Sequence, residues 1–319
     1  MRVRTRQLPV QAAAVLTLAL ACAACGSSSP ASSGNAKGTG KAFPVTVGTF
    51  VGDVHIQARP DAIVSLSPTA TEMLYAIGAG SQVKAVDSDS DYPKTAPITK
   101  LSAYEPNAEA IAAYQPDLVV ISNDINGISA KLTQLHIPVL DLPAASTLSQ
   151  EYAEFDQLGS ATGHLAQAQA EDAALRSQIR KIVASEPKHS KPLTYYYEIA
   201  TDPYYTVTSS TFIGSLLSLL GMKSIADAAT GAAAADGYPS VSAEFILKAS
   251  PDYIILADTG PTGGGQDAAT VDGRPGWSVL TAVKDKRIIL VNADVASRWG
   301  PRITQLLQAV ATGLKSGSQ

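Results

Sequence analysis

Two stretches far apart in the chain run through the same order of polar and apolar positions. The first is Tyr104-Glu-Pro-Asn-Ala-Glu109-Ala-Ile111-Ala-Ala-Tyr-Gln-Pro116-Asp117, followed by the apolar run Leu118 to Ile121. The second is Tyr238-Pro-Ser-Val-Ser-Ala-Glu244-Phe-Ile246-Leu-Lys-Ala-Ser-Pro251-Asp252, followed by Tyr253 to Leu256. Each predicts a short helix, a proline stop, and a strand too apolar to have a wet face. A second pair of segments repeats as well. Ser67 to Leu74 to Gly78 matches Ser210 to Leu217 to Gly221, each a helix ended by glycine. The pattern predicts an α/β fold of two similar Rossmann-like lobes, each presenting a Tyr and a Glu at the same relative place.

The remaining pattern fills in the lobes. Phe43 to Ile56 alternates in two short runs split by Gly52-Asp53, a hairpin signal. Ala62 to Leu66 is the first core strand, and Ser67-Pro68 caps and starts a helix. Val83 to Val86 and Val139-Leu140 read as strands, and Ile128 to Leu135 as a helix. From Leu148 to Ala184 strand signals stop. Gly159 and Gly163 interrupt that stretch, and Leu165 to Ala184 carries Leu175, Ile179 and Ile182 on one helical face. A helix of that length spans about 30 Å and is expected to join the lobes as a single long connector. In the second lobe Leu193 to Ile199 and Arg287 to Val291 are strands, Thr211 to Leu220 and Ile303 to Leu314 are helices, and residues 202–205 and 292–302 are loops.

The first residues stand outside this plan. Arg2, Arg4 and Arg6 precede an apolar run, Val10 to Ala21, too short to span a membrane and suited to a signal peptide. It ends Ala21-Cys22-Ala-Ala-Cys25-Gly-Ser-Ser, which resembles a bacterial lipobox. Cys25 is the expected lipidation site, with Cys22 as the alternative and a simple secretory signal as another. The boundaries are then a lipoprotein signal peptide over 1–24 and a Ser/Gly-rich tether over 25–42. An N-terminal lobe over 43–147, a connecting helical segment over 148–186 and a C-terminal lobe over 187–319 follow. The expected location is outside the cytoplasm, lipid-anchored to the cell membrane. No cysteine follows Cys25, so a hydrophobic core must hold the exported fold.

Charge and chemistry narrow the function. The whole chain carries a net charge of −4, and its first 24 residues hold three arginines and no acid, so the remainder is more acidic still. That argues against nucleic acid as a partner. No Gly-x-Ser-x-Gly elbow, Walker loop or complete dinucleotide fingerprint occurs. His55, His136, His164 and His189 are scattered without metal-ligand spacing. No catalytic residue, resident metal or cofactor is expected, and the chain is read as a non-enzyme. The remaining assets are tyrosines and a few charges on loops at strand carboxyl ends, where open α/β sheets bind ligands.

Ala62 to Gly80, with Asp91-Tyr92-Pro93, Glu109 to Ile121, Tyr238 to Leu256, Arg274-Pro-Gly-Trp277 and Arg298-Trp-Gly-Pro-Arg302, resembles ABC-transporter substrate-binding proteins of the iron–siderophore and vitamin B12 class. Within it the chain looks most like the cobalamin-binding branch, on Ser90 to Pro93 and Tyr238 to Glu244. The resemblance implies a monomer of two lobes joined by one rigid helix, with the ligand cleft between the lobes, that captures a metal chelate, cobalamin or another corrinoid first and a ferric siderophore or haem second. It would then deliver the chelate to an ABC permease dimer and its ATPase. Carried over residue by residue, Tyr92, Tyr104, Ser122 and Asn123 would face the ligand from the first lobe, and Tyr205, Tyr238, Asp294 and Arg298 from the second. Trp299 would shelve the ligand, and Trp277 would sit in the core. Glu109 and Glu244 would dock to the permease. The plainer alternatives are that the two glutamates complement helix dipoles, that the tyrosines are packed or surface aromatics, and that Arg298 pairs with Asp294. Tyr104 and Tyr238 stand where enterobacterial-type cobalamin binders carry tryptophan, and Ser122 replaces another large aromatic.

Overall fold

Four-residue strands with every residue buried set the framework. Ile63–Leu66 (β3) and Leu118–Ile121 (β6) have no exposed position, as expected for strands covered on both faces. The computed structural model describes residues 43–316; the expected signal peptide, the expected tether with Cys25, and the last three residues lie outside them. The hairpin Val45–Thr49 (β1) and Gly52–Ile56 (β2) comes first and is antiparallel. A five-stranded parallel sheet follows. With Val83–Asp87 (β4), Ile98–Leu101 (β5) and Val139–Asp141 (β7), its order is β5-β4-β3-β6-β7.

The second sheet is built the same way. Leu193–Glu198 (β8), Met222–Ser224 (β11), Tyr253–Thr259 (β13) and Ile288–Asn292 (β14) are parallel in the order β11-β8-β13-β14. The first strand of each sheet lies between the second strand and the strand of the repeated motif, so the sequence repeat is a repeat of topology. Its smaller parts match too. Helix Ala108–Ala112 (α2) is capped by Asn107, whose side chain accepts from Ala110 N at 2.8 Å. Helix Ala243–Ala249 is capped by Ser242, which accepts from Phe245 N at 3.2 Å. Asp117 Oδ2 accepts from the backbone N–H groups of Asp61 and Ala62 at 2.9 and 3.0 Å. Asp252 Oδ2 accepts from Thr194 N and Oγ1, both at 2.7 Å. The Pro-Asp of each copy thus ties the start of its own strand to the start of the strand beside it.

The linking segment is two helices rather than one. Leu148–Thr162 (α4) ends at Gly163, which takes a left-handed φ of 79°. Leu165–Ala184 (α5) has the bounds its apolar face predicts. The two pack closely enough that a Cβ on Gly159 would lie 2.6 Å from the Ala168 Cβ, so glycine is required there. Helix α4 packs on β1 and on helix Pro68–Ala76 (α1), and α5 packs on α4 and on the final helix, Ile303–Ser316. One hydrophobic cluster accordingly runs through both lobes, from Val47 and Met73 through Phe155 and Ile179 to Leu216 and Leu307. Two expected loops carry structure. Ala200–Thr201 (β9), Tyr204–Tyr205 (β10) and Ser240–Val241 (β12) form a small antiparallel sheet. Residues 293–297 are a short helix, because Asn292 caps them by accepting from Val295 N at 3.0 Å.

Away from that apolar cluster the lobes are joined by charge. Glu72 on α1 has a fully buried side chain and takes Arg302 in a two-point pair, Nε to Oε2 at 2.7 Å and Nη2 to Oε1. Arg298 Nη1 donates to Asp91 Oδ1 at 2.6 Å, and its Nη2 donates to the Asp89 carbonyl at 2.9 Å. Removing one partner of a buried pair leaves the other charge desolvated, at a cost of about 3–5 kcal/mol, whereas replacing both by apolar groups costs far less. Glu72→Ala is therefore expected to lower stability by about 3 kcal/mol or more in urea unfolding, and the Glu72→Leu/Arg302→Leu double variant is expected to lose less than the single one.

Candidate ligand cleft

Polar side chains reach the interior of this fold where its parallel strands stop. The order β5-β4-β3-β6-β7 reverses direction about β3, and the crevice outside the carboxyl ends of strands at such a reversal is where open α/β sheets bind ligands. A cavity of about 670 Å³ lies at that place, within the 300–1,000 Å³ typical of small-molecule sites. Ser67 follows β3, Ser88 and Asp89 follow β4, Ser122 and Asn123 follow β6, and Leu142 follows β7; all line it. The second lobe contributes Asp294, Ser297, Arg298 and Trp299, from the helix after β14 and the turn beyond. A side niche of about 100 Å³ opens next to it, sharing Tyr104, Ser122 and Asn123 and bounded by Leu66, Ile121 and Ile128.

Local chemistry fixes the wall. Ser67 caps α1 by accepting from Ala70 N at 3.2 Å, and Pro68 occupies the first helical position, so the helix starts at the cavity edge. Trp299 stacks on Phe212 with ring centroids 4.8 Å apart, which holds its indole in the wall. Tyr104 is 74% exposed and borders both spaces, a large ring left uncovered at a concave site.

Five of the eight expected ligand residues meet here: Tyr104, Ser122, Asn123, Asp294 and Arg298. Tyr92, Tyr205 and Tyr238 are not among the lining residues. The Tyr92 ring lies under the Arg302 guanidinium, 4.1 Å from its centroid. Tyr205 sits in β10, paired with Ser240, and Tyr238 is partly exposed just before that pairing. Arg298 both lines the cavity and pairs with Asp294 at 3.2 Å, in addition to its bonds across to the first lobe. Trp277 is buried against Tyr196 and Tyr204 in the second lobe, as expected of a core residue. Glu109 and Glu244 lie away from the cavity, exposed in the first turns of their helices, and neither enters an ion pair among the described residues.

The electrostatics of the cleft follow from a surplus of acid. Asp89, Asp91, Glu154 and Asp294 line it against the single arginine Arg298. The hydrogen bond from Arg298 holds the Asp91 carboxyl below the usual range, against the opposing effect of its partial burial. Glu154 on α4 behaves oppositely: burial pushes its carboxyl up to about 8. Asp87, fully buried beneath the side niche, is also raised by burial, and its Oδ2 has no partner. Among the described residues no group of three or more His, Cys, Asp or Glu is placed to hold a metal ion.

Sequence reasoning did not single out Glu154, Asp89, Glu72 or Arg302. Asp89 and Ser88 had a usable signal, because they directly follow a predicted strand in a lobe expected to bind at strand ends. Glu72 and Glu154 had none. An acid on an amphipathic helix reads as solvated until packing covers it.

Comparison with known proteins agrees with this architecture. The sequence profile of the periplasmic binding protein family matches residues 63–295. An uncharacterized ABC transporter substrate-binding lipoprotein of Bacillus subtilis is 30% identical over 311 residues, covering 95% of each chain. A vitamin B12-binding protein of Pectobacterium atrosepticum is 30% identical over 265 residues, covering 81% of this chain and 89% of its own. The crystal structure of a possible iron-binding, periplasmic solute-binding protein from Staphylococcus epidermidis superposes with a TM-score of 0.67 at 28% identity, over 80% of this chain and 99% of that one. With two α/β lobes built on one repeated topology and a cleft at the strand ends, the chain belongs to the periplasmic binding protein family, the substrate-binding proteins of ABC importers.

Proposed function

We propose that this protein is a lipid-anchored receptor, held outside the cytoplasm by Cys25, that captures cobalamin or a related corrinoid and hands it to an ABC permease. The observation that carries the ligand reading is the charge of the cleft. Acids outnumber its one lining arginine, and Arg298 is already engaged by Asp91 and Asp294. Haem presents propionate carboxylates and many ferric siderophores are anionic; both would meet net negative charge here without a free cation. A corrinoid is rimmed by uncharged amides, which suit hydroxyl, amide and carboxyl side chains such as Ser67, Ser122 and Asn123. The vitamin B12-binding relative supports the same ligand class. Tyr104 and Trp299 would give the macrocycle apolar faces to lie on. A ferric siderophore or haem is the alternative, and the iron-binding neighbour favours it.

Docking is assigned to Glu109 and Glu244. Each follows its capping residue by two positions, each is exposed, and the repeated topology gives one to each lobe. Two matched, unpaired acids can engage arginines on the two halves of a permease dimer and steer the encounter. The proposed monomer would present both at once.

Two measurements test these assignments. Titration with cyanocobalamin is expected to quench tryptophan fluorescence through Trp299 with a dissociation constant of about 1 μM or tighter; no binding at that level, with tight binding of a ferric chelate, moves the ligand to the alternative. Replacing Glu109 and Glu244 together by Ala is expected to leave that affinity unchanged and to abolish uptake in cells. Uptake that persists in the double variant removes the docking role.

A further inference from the structure

Among the described residues, Glu154 is the one polar side chain in the cleft wall that is almost fully buried and yet makes no hydrogen bond. Its residue exposure is 3%, Oε1 is sealed from solvent without a partner, and the side chain lines the cavity. A polar group desolvated without a partner is costly to the fold. Among the described residues nothing answers it. Glu151, one turn earlier, is itself buried with both oxygens unpartnered, and its carboxyl is raised by burial and then by Glu154. Among the described residues no cation on the neighbouring elements pairs with Glu154, and Arg180 and Lys181 on α5 are exposed. On α1, Glu72 takes Arg302. On α5, Arg176 is bound to Asp172 and lies over the Tyr152 ring. Across the cavity, Arg298 is bound to Asp91 and Asp294, and Asp89 adds a further acid. An ionised Glu154 would therefore be a bare anion in an apolar wall formed with Leu142, Ala144 and Ala145.

We propose that Glu154 is a ligand-recognition group of the cleft, a neutral carboxylic acid that donates its proton in a hydrogen bond to an amide carbonyl on the rim of the bound corrinoid. The proposal rests on the corrinoid reading for the identity of the acceptor. Its chemistry is that of a carboxyl held protonated by burial so that it can serve as a donor. The serine and asparagine side chains at the strand ends can donate or accept as the ligand requires. Glu154 fixes one direction: while protonated it donates to an acceptor oxygen of the ligand, and once ionised it has no proton to give and repels that oxygen. Burial raises its carboxyl to about 8, so the donor is present at neutral pH. The sign follows directly. Affinity is full below about pH 8 and falls as the pH rises through that value; ligand binding, by favouring the protonated form, raises the carboxyl's pKa in the complex, and the fall levels off only above that higher value.

The test uses the full folded protein with cyanocobalamin as the probe, which has no group titrating in this window. Wild-type affinity is expected to hold between about pH 6 and 7.5 and to drop about tenfold by pH 9, a loss of about 1.4 kcal/mol. Glu154→Gln keeps an N–H donor without the titration, so it is expected to bind at pH 7 within about threefold of wild type, with a flat profile. Glu154→Leu removes the donor and is expected to weaken binding about tenfold at pH 7, while its melting temperature is not lowered, since an unpartnered buried carboxyl is lost. A flat wild-type profile, or full affinity in Glu154→Leu, overturns the proposal. If cyanocobalamin does not bind the wild type, the corrinoid reading fails on its own. Glu154 is then judged by isotope-edited infrared spectroscopy of its carboxyl: an ionised group at pH 7 overturns the proposal, and a protonated one supports the donor role.

Discussion

Strands buried on both faces leave a parallel sheet only its ends for polar chemistry. That constraint organises this molecule. Ile63–Leu66 and Leu118–Ile121 expose nothing along their length, so Ser67, Asp89, Ser122 and Asn123 can meet only beyond their carboxyl ends. The reversal of strand order about β3 spreads the connecting loops to either side and leaves a crevice between them. The second lobe repeats the arrangement and brings Asp294 and Arg298 to the same space from the end of β14. A cleft between two such lobes is thus a consequence of burying β-branched strands twice over.

The lobes are held around that cleft by two kinds of contact with different ranges. On one side the α4–α5 pair and the final helix extend a single apolar core through both lobes. On the other, Glu72 and Asp91 of the first lobe take Arg302 and Arg298 of the second. These ion pairs consume the cations nearest the cavity. The cleft is left with acids of two kinds: Asp91, whose carboxyl is held below the usual range by its arginine, and Glu154, whose carboxyl burial pushes up to about 8. The charge that ties the lobes together therefore also shapes which ligands the space between them will accept.

Much of the scaffold was legible in the residues. The repeat of helix, proline, aspartate and apolar strand forecast two lobes of one topology, and Asp117 and Asp252 turn out to make equivalent ties. Asn107 and Ser242 cap the helices of the two motif copies. The site was legible in part. Tyr104, Ser122, Asn123, Asp294 and Arg298 share the cavity, whereas Tyr92 packs under Arg302 and Tyr205 enters a strand pairing. The short strands Ala200–Thr201 and Tyr204–Tyr205 were not visible because two-residue pairings carry no periodicity of their own.

The sequence by itself determined most of the segments that become core strands and long helices, because apolar runs, caps and proline stops are local. It determined as well that the architecture is doubled, because the repeat is written in residue types. Only the tertiary structure decided that Glu72 and Glu154 lie inside. Whether an acid on a helix faces water or a neighbouring element depends on what packs against that helix, and here that is α4 against α1 and β1. The same holds for Arg298, whose partners Asp89 and Asp91 lie two hundred residues earlier in the chain. Long-range electrostatics is set by which elements meet, and no local pattern records that.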